Sequence, residues 1–386
     1  MYNILMLNQI SDLGLKKFAT GYNCSRDCPN PHGILVRSAP IKNPEKYKNL
    51  LAIARAGAGI NNININACNK LGIAVFNTPG ANANAVKELV IASLILASRN
   101  ITKSINWVNN HYNEENISEL LEKEKKQFKG SEIRGKKLGV VGLGAIGTLV
   151  ANTACSLNMK VFGYDPFISV ESAWNLCRFI KKTDSIESIF SECDYITLHV
   201  PLNNTTENMI NKKLLSIVKP EAKIFNFSRP EIVNNRDIAE TIKSKKIDKY
   251  ITDFPQKEFE NIENIISIPH LGASTIESEN NCAAMASDEL IDYLENGNTK
   301  NSVNFPNVNI PKSTKTRLCI FSKNIPNVIS KVLEIISSKN INIENMQGHS
   351  KNDFSYTIID TNNHLDESLM DIIKNSLGII NTRIIS

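Results

Sequence analysis

The 386-residue sequence predicts an α/β protein with two doubly wound parallel sheets and a separate C-terminal βαββαβ unit. Three observations predict this fold. Short apolar runs alternate with helical patterns from the N-terminus onward, a glycine-rich turn follows an apolar run at 138–141, and the strand–helix pattern restarts after a turn-rich segment that ends at 315. A chain of this length is too long for one ordinary core, so several domains are expected.

The first region predicts a parallel sheet with one long helix beside it. The helix is predicted over 84–99, where apolar side chains recur at helical spacing. The next segment, 111–126, is charged and helix-prone, which is typical of a solvated face or a contact between subunits. The strands are the apolar runs at 4–7, 33–37, 51–55 and 73–76.

The glycine-rich turn has the spacing G-x-G-x-x-G, formed by Gly142, Gly144 and Gly147. A helical pattern begins inside it at Ala145 and Ile146. In this strand–turn–helix context the first glycine permits a tight turn, the second lets a pyrophosphate approach the backbone, and the third lets the helix pack closely. The free N–H groups at the helix N-terminus favour the anion.

A second apolar run, at 160–164, ends at Asp165. A carboxylate about 20 residues beyond the glycines accepts hydrogen bonds from a ribose diol and repels a 2′-phosphate. The pair of motifs therefore predicts NAD, rather than NADP, as the cofactor. The alternative is a structural unit of the same kind that binds no ligand.

The remaining elements complete one domain and begin another. Further strands at 195–200, 223–227, 250–252 and 265–268 bring the dinucleotide sheet to six. A helix is predicted over 275–296, and 307–315 has the composition of a linker. The C-terminal unit is predicted as strand 317–321, helix 326–338, strands 342–347 and 354–360, helix 366–376 and strand 379–385.

Side chains suited to acid–base chemistry and anion binding follow the predicted strands. His270 comes just past a strand, and imidazole changes protonation near neutral pH, so His270 is the candidate acid/base. His199 competes for that role, but its loop is expected to run beneath the cofactor. Arg229 follows another strand, and its guanidinium can bind a carboxylate with two parallel hydrogen bonds.

A carboxylate that orients the imidazole is the third group such a site needs. Glu258 is the candidate, whereas Asp253 is expected to face the nicotinamide amide. Each has the alternative of being an ordinary loop carboxylate.

Composition limits the remaining choices. The net charge of +5 and the lack of a long basic block do not indicate nucleic-acid binding, although anionic small substrates are compatible with it. The N-terminus lacks a signal-peptide pattern and no apolar run is long enough to span a bilayer, which predicts a cytoplasmic protein without membrane contact. Cys24, Cys28 and His32 do not have a usual zinc spacing, so no metal site is expected.

Together these motifs resemble the D-2-hydroxyacid dehydrogenase family over nearly the whole chain. The resemblance implies a Rossmann-type NAD-binding domain at 99–284 and a discontinuous, flavodoxin-like substrate-binding domain at 1–98 and 285–306, with the linker at 307–315. It rests on residues 36–38, 54–62, 77–80, 142–147 with 165, 199–202, 219–220, 226–229, 253–255 and 269–275.

The family's known sites carry over onto matching positions. Arg229 and His270 inherit the catalytic Arg and His roles, and Pro201 and Thr205 join the cofactor-binding residues already named. The substrate carboxylate is expected to meet backbone N–H groups of a loop after the third strand, while arginines beside it favour a phosphorylated substrate. The substrate-binding residues implied are Arg37, Ser38, Arg55, Gly57, Ala58, Gly59 and Asn61.

Three positions depart from the family pattern near the catalytic residues. Pro230 stands where Gly usually follows the catalytic Arg, and Asn234 replaces an Asp. Lys257 occupies the usual position of the catalytic Glu, with Glu258 one residue later, so either the loop shifts or the relay is altered.

The C-terminal unit at 316–386 resembles an ACT domain, a module that often binds amino acids. Asn324 and Asn342 match effector-contacting positions, which implies a serine-type amino-acid effector and contacts between subunits of a homodimer or homotetramer. Ser322 replaces a usual His and Asn327 a usual Gly at the helix start, where a side chain interferes with backbone approach.

The resemblance implies NAD-dependent oxidation of 3-phospho-D-glycerate to 3-phosphooxypyruvate, the first step of serine biosynthesis. One alternative is a reductase of another 2-keto acid, such as glyoxylate or hydroxypyruvate. The other is a non-catalytic regulator that senses NAD.

Overall fold

A computed structural model describes residues 1–312 and 316–385 of the chain. Contacts divide it into two compact units, Met1–Asn82 with Ile276–Ser386 and Ala83–Thr275. The domain limits inferred from the sequence, at 98/99 and 284/285, stay predictions.

The first unit begins with a five-stranded, wholly parallel sheet in the order β2-β1-β3-β4-β5. This is the flavodoxin-like order, so the predicted fold class is confirmed here. The prediction missed β2 because its sequence, Tyr-Asn-Cys-Ser, has little apolar character and it lies at the sheet edge. The elements are β1 (Tyr2–Leu7), α1 (Asp12–Leu15), β2 (Tyr22–Ser25), β3 (Gly33–Val36), β4 (Ala52–Arg55), α2 (Ile65–Leu71) and β5 (Ala74–Asn77).

The second unit contains a seven-stranded parallel sheet in the order β12-β11-β10-β9-β6-β7-β8. This is the doubly wound dinucleotide-binding order with one additional strand, β12, at the edge. All six predicted strands are present, and the one missed is β8, a pair of exposed lysines without apolar character. The strands are β6 (Lys137–Val141), β7 (Lys160–Tyr164), β8 (Lys181–Lys182), β9 (Tyr195–Leu198), β10 (Lys223–Asn226), β11 (Lys249–Thr252) and β12 (Ile265–Ser267).

Eight α-helices of the second unit lie in its described residues. Two of them, α4 and α5, bury none of their residues within the described chain, and they overlap the segment predicted as charged and exposed. The helices are α3 (Ala83–Arg99), α4 (Ile101–His111), α5 (Ile117–Glu124), α6 (Ala145–Ser156), α7 (Val170–Trp174), α8 (Ile186–Glu192), α9 (Lys212–Ser216) and α10 (Asn235–Lys243).

The chain then returns to the first unit through α11 (Ile276–Asn296), a helix of 21 residues. Its buried face, which includes Ala283, Ala286 and Leu290, packs into the same apolar cluster as Ala52 and Ala54 of β4. No helix in the described part of the chain is long and apolar enough to cross a bilayer.

The C-terminal unit, which begins at 316, is part of the first compact unit. It has the predicted βαββαβ order and an antiparallel sheet arranged β14-β15-β13-β16. One sheet face packs on its two helices through residues such as Ile320 and Ile359. The other face, with Phe321 and Tyr356, continues the core around α11. The elements are β13 (Thr316–Lys323), α12 (Val328–Ser337), β14 (Ile343–Lys351), β15 (Phe354–Thr361), α13 (Glu367–Lys374) and β16 (Ile379–Ile385).

The segment expected to be a linker is tied to the first unit as far as the structure describes it. Val308 is fully buried, and its backbone N–H donates to Thr299 Oγ1 at 2.9 Å. Ile310 N–H donates to Asn298 Oδ1 at 3.1 Å. Residues 313–315 of the predicted linker lie outside the described residues.

Candidate functional site

The glycine turn joins β6 to α6, and each glycine meets a different surrounding. Gly142 has a φ of +90°, and a Cβ there would lie 2.5 Å from the carbonyl oxygen of His199. A Cβ on Gly147 would lie 1.9 Å from the carbonyl oxygen of Gly142. By contrast, a Cβ on Gly144, the N-cap of α6, would face open space. Gly142 and Gly147 therefore serve the turn, while Gly144 leaves room for a ligand above the helix N-terminus, where Ala145 and Ile146 begin the first turn.

Asp165 follows β7 and holds the same turn from the side. Its Oδ2 accepts from Leu143 N–H at 2.8 Å and its Oδ1 accepts from Phe167 N–H at 2.9 Å. A carboxylate oxygen has two lone pairs, so each oxygen retains one for a hydroxyl donor. The carboxylate is thus oriented to receive a diol next to the open side of Gly144.

His199 lies directly beneath the glycine turn, where its backbone N–H donates to Val141 O at 2.7 Å. Its Nε2 is 2.9 Å from Thr197 Oγ1, and its Nδ1 is buried without a partner in the described residues. Burial lowers the pKa of His199 to about 3, because a charged imidazole cannot be solvated there. His199 therefore stays neutral at physiological pH and is poorly suited to accept a substrate proton.

The loop after His199 is held by internal hydrogen bonds. Asn203 Oδ1 accepts from the backbone N–H and the hydroxyl of Thr205, at 2.8 and 2.7 Å. The buried Thr206 hydroxyl donates to Pro201 O at 2.6 Å. Pro201 and Thr205 are exposed, so they remain available to a bound cofactor.

Arg229 stands in the loop after β10 with extended backbone, φ −148° and ψ 142°. Asn226, fully buried at the end of that strand, donates through Nδ2 to Arg229 O at 2.9 Å and accepts from Ser228 N–H at 3.1 Å. The Arg229 guanidinium is partly buried and donates through Nη1 to Ser228 O at 2.6 Å. A buried amide side chain therefore fixes the loop that presents the guanidinium.

Two departures from the family pattern fit this loop without distortion. Pro230 occupies the first turn of a 3-10 helix, Pro230–Ile232, where a missing N–H has no cost. Asn234 caps α10, because its side-chain oxygen accepts from Asp237 N–H at 3.1 Å, as an Asp would.

Asp253 follows β11 and is almost completely buried, with 1% of its surface exposed. Its Oδ2 accepts from Gly272 N–H at 3.1 Å, whereas its Oδ1 is buried without a partner in the described chain. Burial raises its pKa, and hydrogen bonding to Gly272 and the nearby positive charges of His270 and Arg229 oppose that rise. The three residues follow the neighbouring strands β10, β11 and β12, so the sheet itself brings them together.

His270 is exposed and has a φ of +37°, an uncommon conformation for a residue with a Cβ. Its backbone N–H donates to Asp253 O at 2.9 Å and to Ile268 O at 3.1 Å. Its ring packs on the edge of Phe254, with the ring centroids 5.1 Å apart. A non-Gly residue held in this conformation by its neighbours is frequent at functional sites.

Glu258 is exposed in the 3-10 turn Lys257–Phe259, which is anchored by the buried ring of Phe259. In the residues that the structure describes, no hydrogen bond or ion pair joins its carboxylate to His270. Its role as the group that orients the imidazole stays a prediction. Asp253 contacts the His270 backbone instead.

The predicted substrate loop, 57–62, lies in the first unit after β4. Three of its carbonyls accept hydrogen bonds from the chain: Thr78 N–H donates to Gly57 O at 3.2 Å, Asn77 Nδ2 donates to Ala58 O at 2.6 Å, and Arg55 Nη1 donates to Gly59 O. The N–H groups of Ala58 and Gly59 have no acceptor among the described residues. With these carbonyls engaged and these N–H groups open, the loop can receive an anion. Asn61 is exposed at its far end.

Arg37 and Arg55 differ in their surroundings. Arg55 Nε donates to Arg37 O at 2.9 Å, so Arg55 links the two loops and supports the backbone. Arg37 extends its guanidinium outward to Glu279 at 2.8 Å. The N–H groups of Arg37, Ser38 and Ala39 converge on Asn8 Oδ1 at 3.3, 3.0 and 2.9 Å.

The positions expected to bind an effector lie in the connections that flank the strands of the C-terminal unit. Asn324 donates through Nδ2 to Asn352 O at 3.1 Å and accepts from Ser350 Oγ at 3.2 Å. Asn327 has a φ of +67°, so an Asn in the left-handed region replaces the glycine there. Asn342 N–H donates to Asn362 Oδ1 at 3.3 Å. Effector binding stays a prediction.

Three residues that shape these sites had no role assigned from the sequence: Asn226, which was noted only as part of the motif 226–229, and Asn8 and Glu279. A polar residue closing an apolar strand was a readable signal for Asn226. Asn8 and Glu279 act across long sequence separations, so the sequence alone offers no signal for them.

The residues of the second unit fit NAD. The space at Gly144, the orientation of Asp165 and the helix N-terminus match a pyrophosphate and a ribose diol. The unpartnered Oδ1 of Asp253 is a buried acceptor suited to an amide N–H such as that of nicotinamide.

Comparison with known proteins agrees with this geometry. Residues 91–272 match the family described as D-isomer specific 2-hydroxyacid dehydrogenase, NAD binding domain. D-3-phosphoglycerate dehydrogenase of Haemophilus influenzae is 31% identical over 386 residues, 96% of this chain and 90% of that protein. The enzyme of the same name from Escherichia coli K12 is 31% identical over 87% of this chain and 82% of its own length. The chain covers only 54% of the Methanocaldococcus jannaschii protein of that name, at 31% identity.

Among solved structures, NAD⁺-bound 3-phosphoglycerate dehydrogenase of Entamoeba histolytica aligns with 78% of this chain and 98% of its own. The TM-score is 0.62 and the identity 29%. D-2-hydroxyisocaproate dehydrogenase, at 20% identity and a TM-score of 0.66, supports the fold alone. The chain therefore belongs to the D-isomer specific 2-hydroxyacid dehydrogenases and carries the NAD-binding domain of that family.

Proposed function

We propose that the protein oxidises 3-phospho-D-glycerate to 3-phosphooxypyruvate with NAD, the first step of L-serine biosynthesis. Relatives of that name at 31% identity over 96% and 87% of the chain support this substrate. The observation that carries the proposal is the grouping of His270 and Arg229 around buried Asp253 after three adjacent strands of a dinucleotide-binding sheet.

His270 is the residue we assign to the substrate hydroxyl proton, because an exposed imidazole can accept and return a proton near neutral pH. Bound NAD supplies the acceptor for the hydride from C2. Arg229 binds the substrate carboxylate and polarises the developing carbonyl through its guanidinium. As His270 gains a proton, the nearby Asp253 carboxylate stabilises the imidazolium.

The first unit also holds groups that are suited to an anionic substrate. The open N–H groups of Ala58 and Gly59 are suited to a carboxylate, and Arg37 is suited to a phosphate. Arg55 supports the loops and is not assigned to ligand binding.

The test is NADH formation by the purified full-length chain with 3-phospho-D-glycerate. His270→Ala is expected to lower kcat by about 10²- to 10⁴-fold while the Kd for NAD changes less than about threefold. His364→Ala, at an exposed position in the C-terminal unit, is the matched control and should leave both unchanged. A His270→Ala enzyme with nearly full turnover would overturn the assignment.

The competing substrate class is an unphosphorylated 2-keto acid, and the carboxylate already paired with Arg37 favours considering it. Arg37→Ala separates the two. A loss confined to phosphorylated substrates supports 3-phospho-D-glycerate, whereas equal activity on hydroxypyruvate and 3-phosphooxypyruvate supports the alternative. Absence of turnover with every 2-hydroxy acid would leave the NAD-sensing regulator as the function.

The C-terminal unit is included in the proposal as an amino-acid effector domain in a homo-oligomer. Its βαββαβ fold supports this role. Calorimetry with L-serine and analytical ultracentrifugation test it: binding abolished by Asn324→Ala supports the site, and a monomer that binds no serine contradicts both parts.

A further inference from the structure

The Arg37 guanidinium forms an ion pair with Glu279, and this pair affects which substrates Arg37 can bind. Its Nη2 lies 2.8 Å from Glu279 Oε1, and the two side chains are 41% and 45% exposed. Its backbone is fixed from both sides, since its N–H donates to Asn8 and its carbonyl accepts from Arg55. The pair is therefore formed at a defined place but remains accessible to ions from solution.

Other donors around Arg37 are engaged by the chain. Arg55 donates to two backbone carbonyls, of Arg37 and Gly59. The N–H groups of Arg37, Ser38 and Ala39 share Asn8 Oδ1. The Arg37 guanidinium is thus a cationic group that a phosphate can reach, and it is paired with the Glu279 carboxylate.

Glu279 is held in position independently of Arg37. It lies in the first turn of α11, together with Glu277, where the helix dipole stabilises negative charge. The next residue, Asn280, is tied to the first unit through a hydrogen bond from Ser11 Oγ to its Oδ1. The backbone that carries the carboxylate is therefore fixed near Arg37, so a carboxylate displaced by an anion remains in the neighbourhood of the guanidinium.

We propose that Glu279 is a specificity-determining residue that competes with the phosphate of the substrate for Arg37. This inference rests on the proposed function. An exposed ion pair of this kind is weak, so a phosphate that binds the guanidinium in a bidentate way can displace it. The displaced carboxylate still repels the phosphate dianion, which weakens binding of phosphorylated substrates but not of unphosphorylated ones.

Glu279→Gln tests the competition, because glutamine keeps the size and loses the charge. For 3-phospho-D-glycerate we expect KM to fall about three- to tenfold with kcat altered less than twofold. KM for D-glycerate should not change. The dissociation constant of inorganic phosphate, measured by calorimetry, should fall by the same factor as KM.

Two further variants make the result specific. Asp288→Asn removes another exposed carboxylate of α11, one that pairs with Lys17, and it should alter none of these values. In an Arg37→Ala background, Glu279→Gln should have less than about a third of its effect, since the two residues act on the same ligand group.

An unchanged KM, or one that rises with Glu279→Gln, would overturn the inference; a rise would mean that Glu279 orients Arg37 for the substrate. Failure of the proposed function is a different outcome, namely no turnover of 3-phospho-D-glycerate by the unmodified chain. In that case phosphate binding still decides the inference: tighter binding by Glu279→Gln supports it and equal binding refutes it.

Discussion

Glu289 is a buried carboxyl whose charge is poorly accommodated. Its Oε1 accepts from Asn301 Nδ2 at 2.8 Å, and its Oε2 has no partner in the described residues. Burial raises its pKa from 4.5 to about 8, and the hydrogen bond from Asn301 and the charge of Lys300 only partly oppose this. At neutral pH the folded protein therefore holds a proton that the unfolded chain has released.

This proton makes stability depend on pH. Because the folded form binds more protons than the unfolded chain between pH 4.5 and about 8, the free energy of unfolding falls as pH rises through that window. Glu289→Gln removes the dependence. Between pH 5 and pH 8.5, the free energy of unfolding of the variant should therefore rise by roughly 3–5 kcal/mol relative to that of the parent.

Urea unfolding followed by circular dichroism at the two pH values measures this gain. Asp184→Asn, at an exposed carboxylate that pairs with Lys182, is the control and should show no such change. If the free energy of unfolding depended on pH in the same way in the parent and in Glu289→Gln, the raised pKa of Glu289 would be contradicted.

At the scale of elements, different glycines of the turn between β6 and α6 are needed for folding and for ligand binding. Gly147 is required by the turn, since a Cβ there would lie 1.9 Å from Gly142 O. Gly144 has φ −73° and open space at its Cβ position, so alanine fits the folded chain there. A methyl group at Gly144 instead occupies the room proposed for the pyrophosphate.

Alanine at Gly147 should therefore lower stability, whereas alanine at Gly144 should weaken NAD binding. Gly147→Ala should lower the free energy of unfolding by about 1–3 kcal/mol, because backbone must move. Gly144→Ala should change it by less than about 0.5 kcal/mol and yet raise the Kd for NAD at least about tenfold. Chemical denaturation and fluorescence titration with NADH measure the two effects, and equal NAD affinity in Gly144→Ala and the parent would refute the cofactor geometry.

The elements that could be read from the sequence are those with strong apolar patterns. Six strands of the dinucleotide sheet and the whole βαββαβ order were predictable, because most of these elements have buried side chains at strand or helix spacing. The strands β2 and β8 were not, since Tyr-Asn-Cys-Ser and Lys-Lys have no such pattern and join the sheets at their edges.

The positions of the candidate site residues were predictable from the strands that precede them, but the states of their side chains were not. His270 and Arg229 follow strands, so parallel-sheet geometry places them at one edge. The state of each side chain was not predictable: the neutral His199, the unpartnered Asp253 oxygen and the Glu279 ion pair all arise from residues distant in sequence.

At the scale of the whole molecule, the C-terminal sheet is fastened to the C-terminal end of α11. Arg317 is fully buried and pairs with Asp360 at 2.6 and 2.8 Å. It also donates to the carbonyls of Asn296, Ile310 and Pro311 at 2.7, 3.2 and 2.8 Å. Two further side chains strengthen this attachment. The Tyr356 hydroxyl donates to Gly297 O, and the Arg383 guanidinium donates to Tyr293 O and Leu294 O.

Every guanidinium nitrogen of Arg317 is thus used, and cations beside the last carbonyls of a helix are favourable. Removing the side chain takes the guanidinium away from the buried Asp360 carboxylate and leaves several carbonyls unmatched. Arg317→Met should therefore lower the free energy of unfolding by about 3–5 kcal/mol, whereas Lys182→Met, which breaks a pair that is 85% and 91% exposed, should change it by less than about 0.5 kcal/mol.

The effect should also be confined to one unit of the molecule. Arg317 and all its partners named above belong to the unit formed by Met1–Asn82 and Ile276–Ser386, whereas the glycine turn belongs to Ala83–Thr275. The Kd for NAD of Arg317→Met should therefore stay within about twofold of the parent below the unfolding transition, which fluorescence titration measures. Arg317→Met combined with Asp360→Leu should recover part of the lost stability, because the buried charge of Asp360 is then removed as well. If the single variant unfolded at the parent's urea midpoint, the buried pair would not be what fastens the C-terminal sheet.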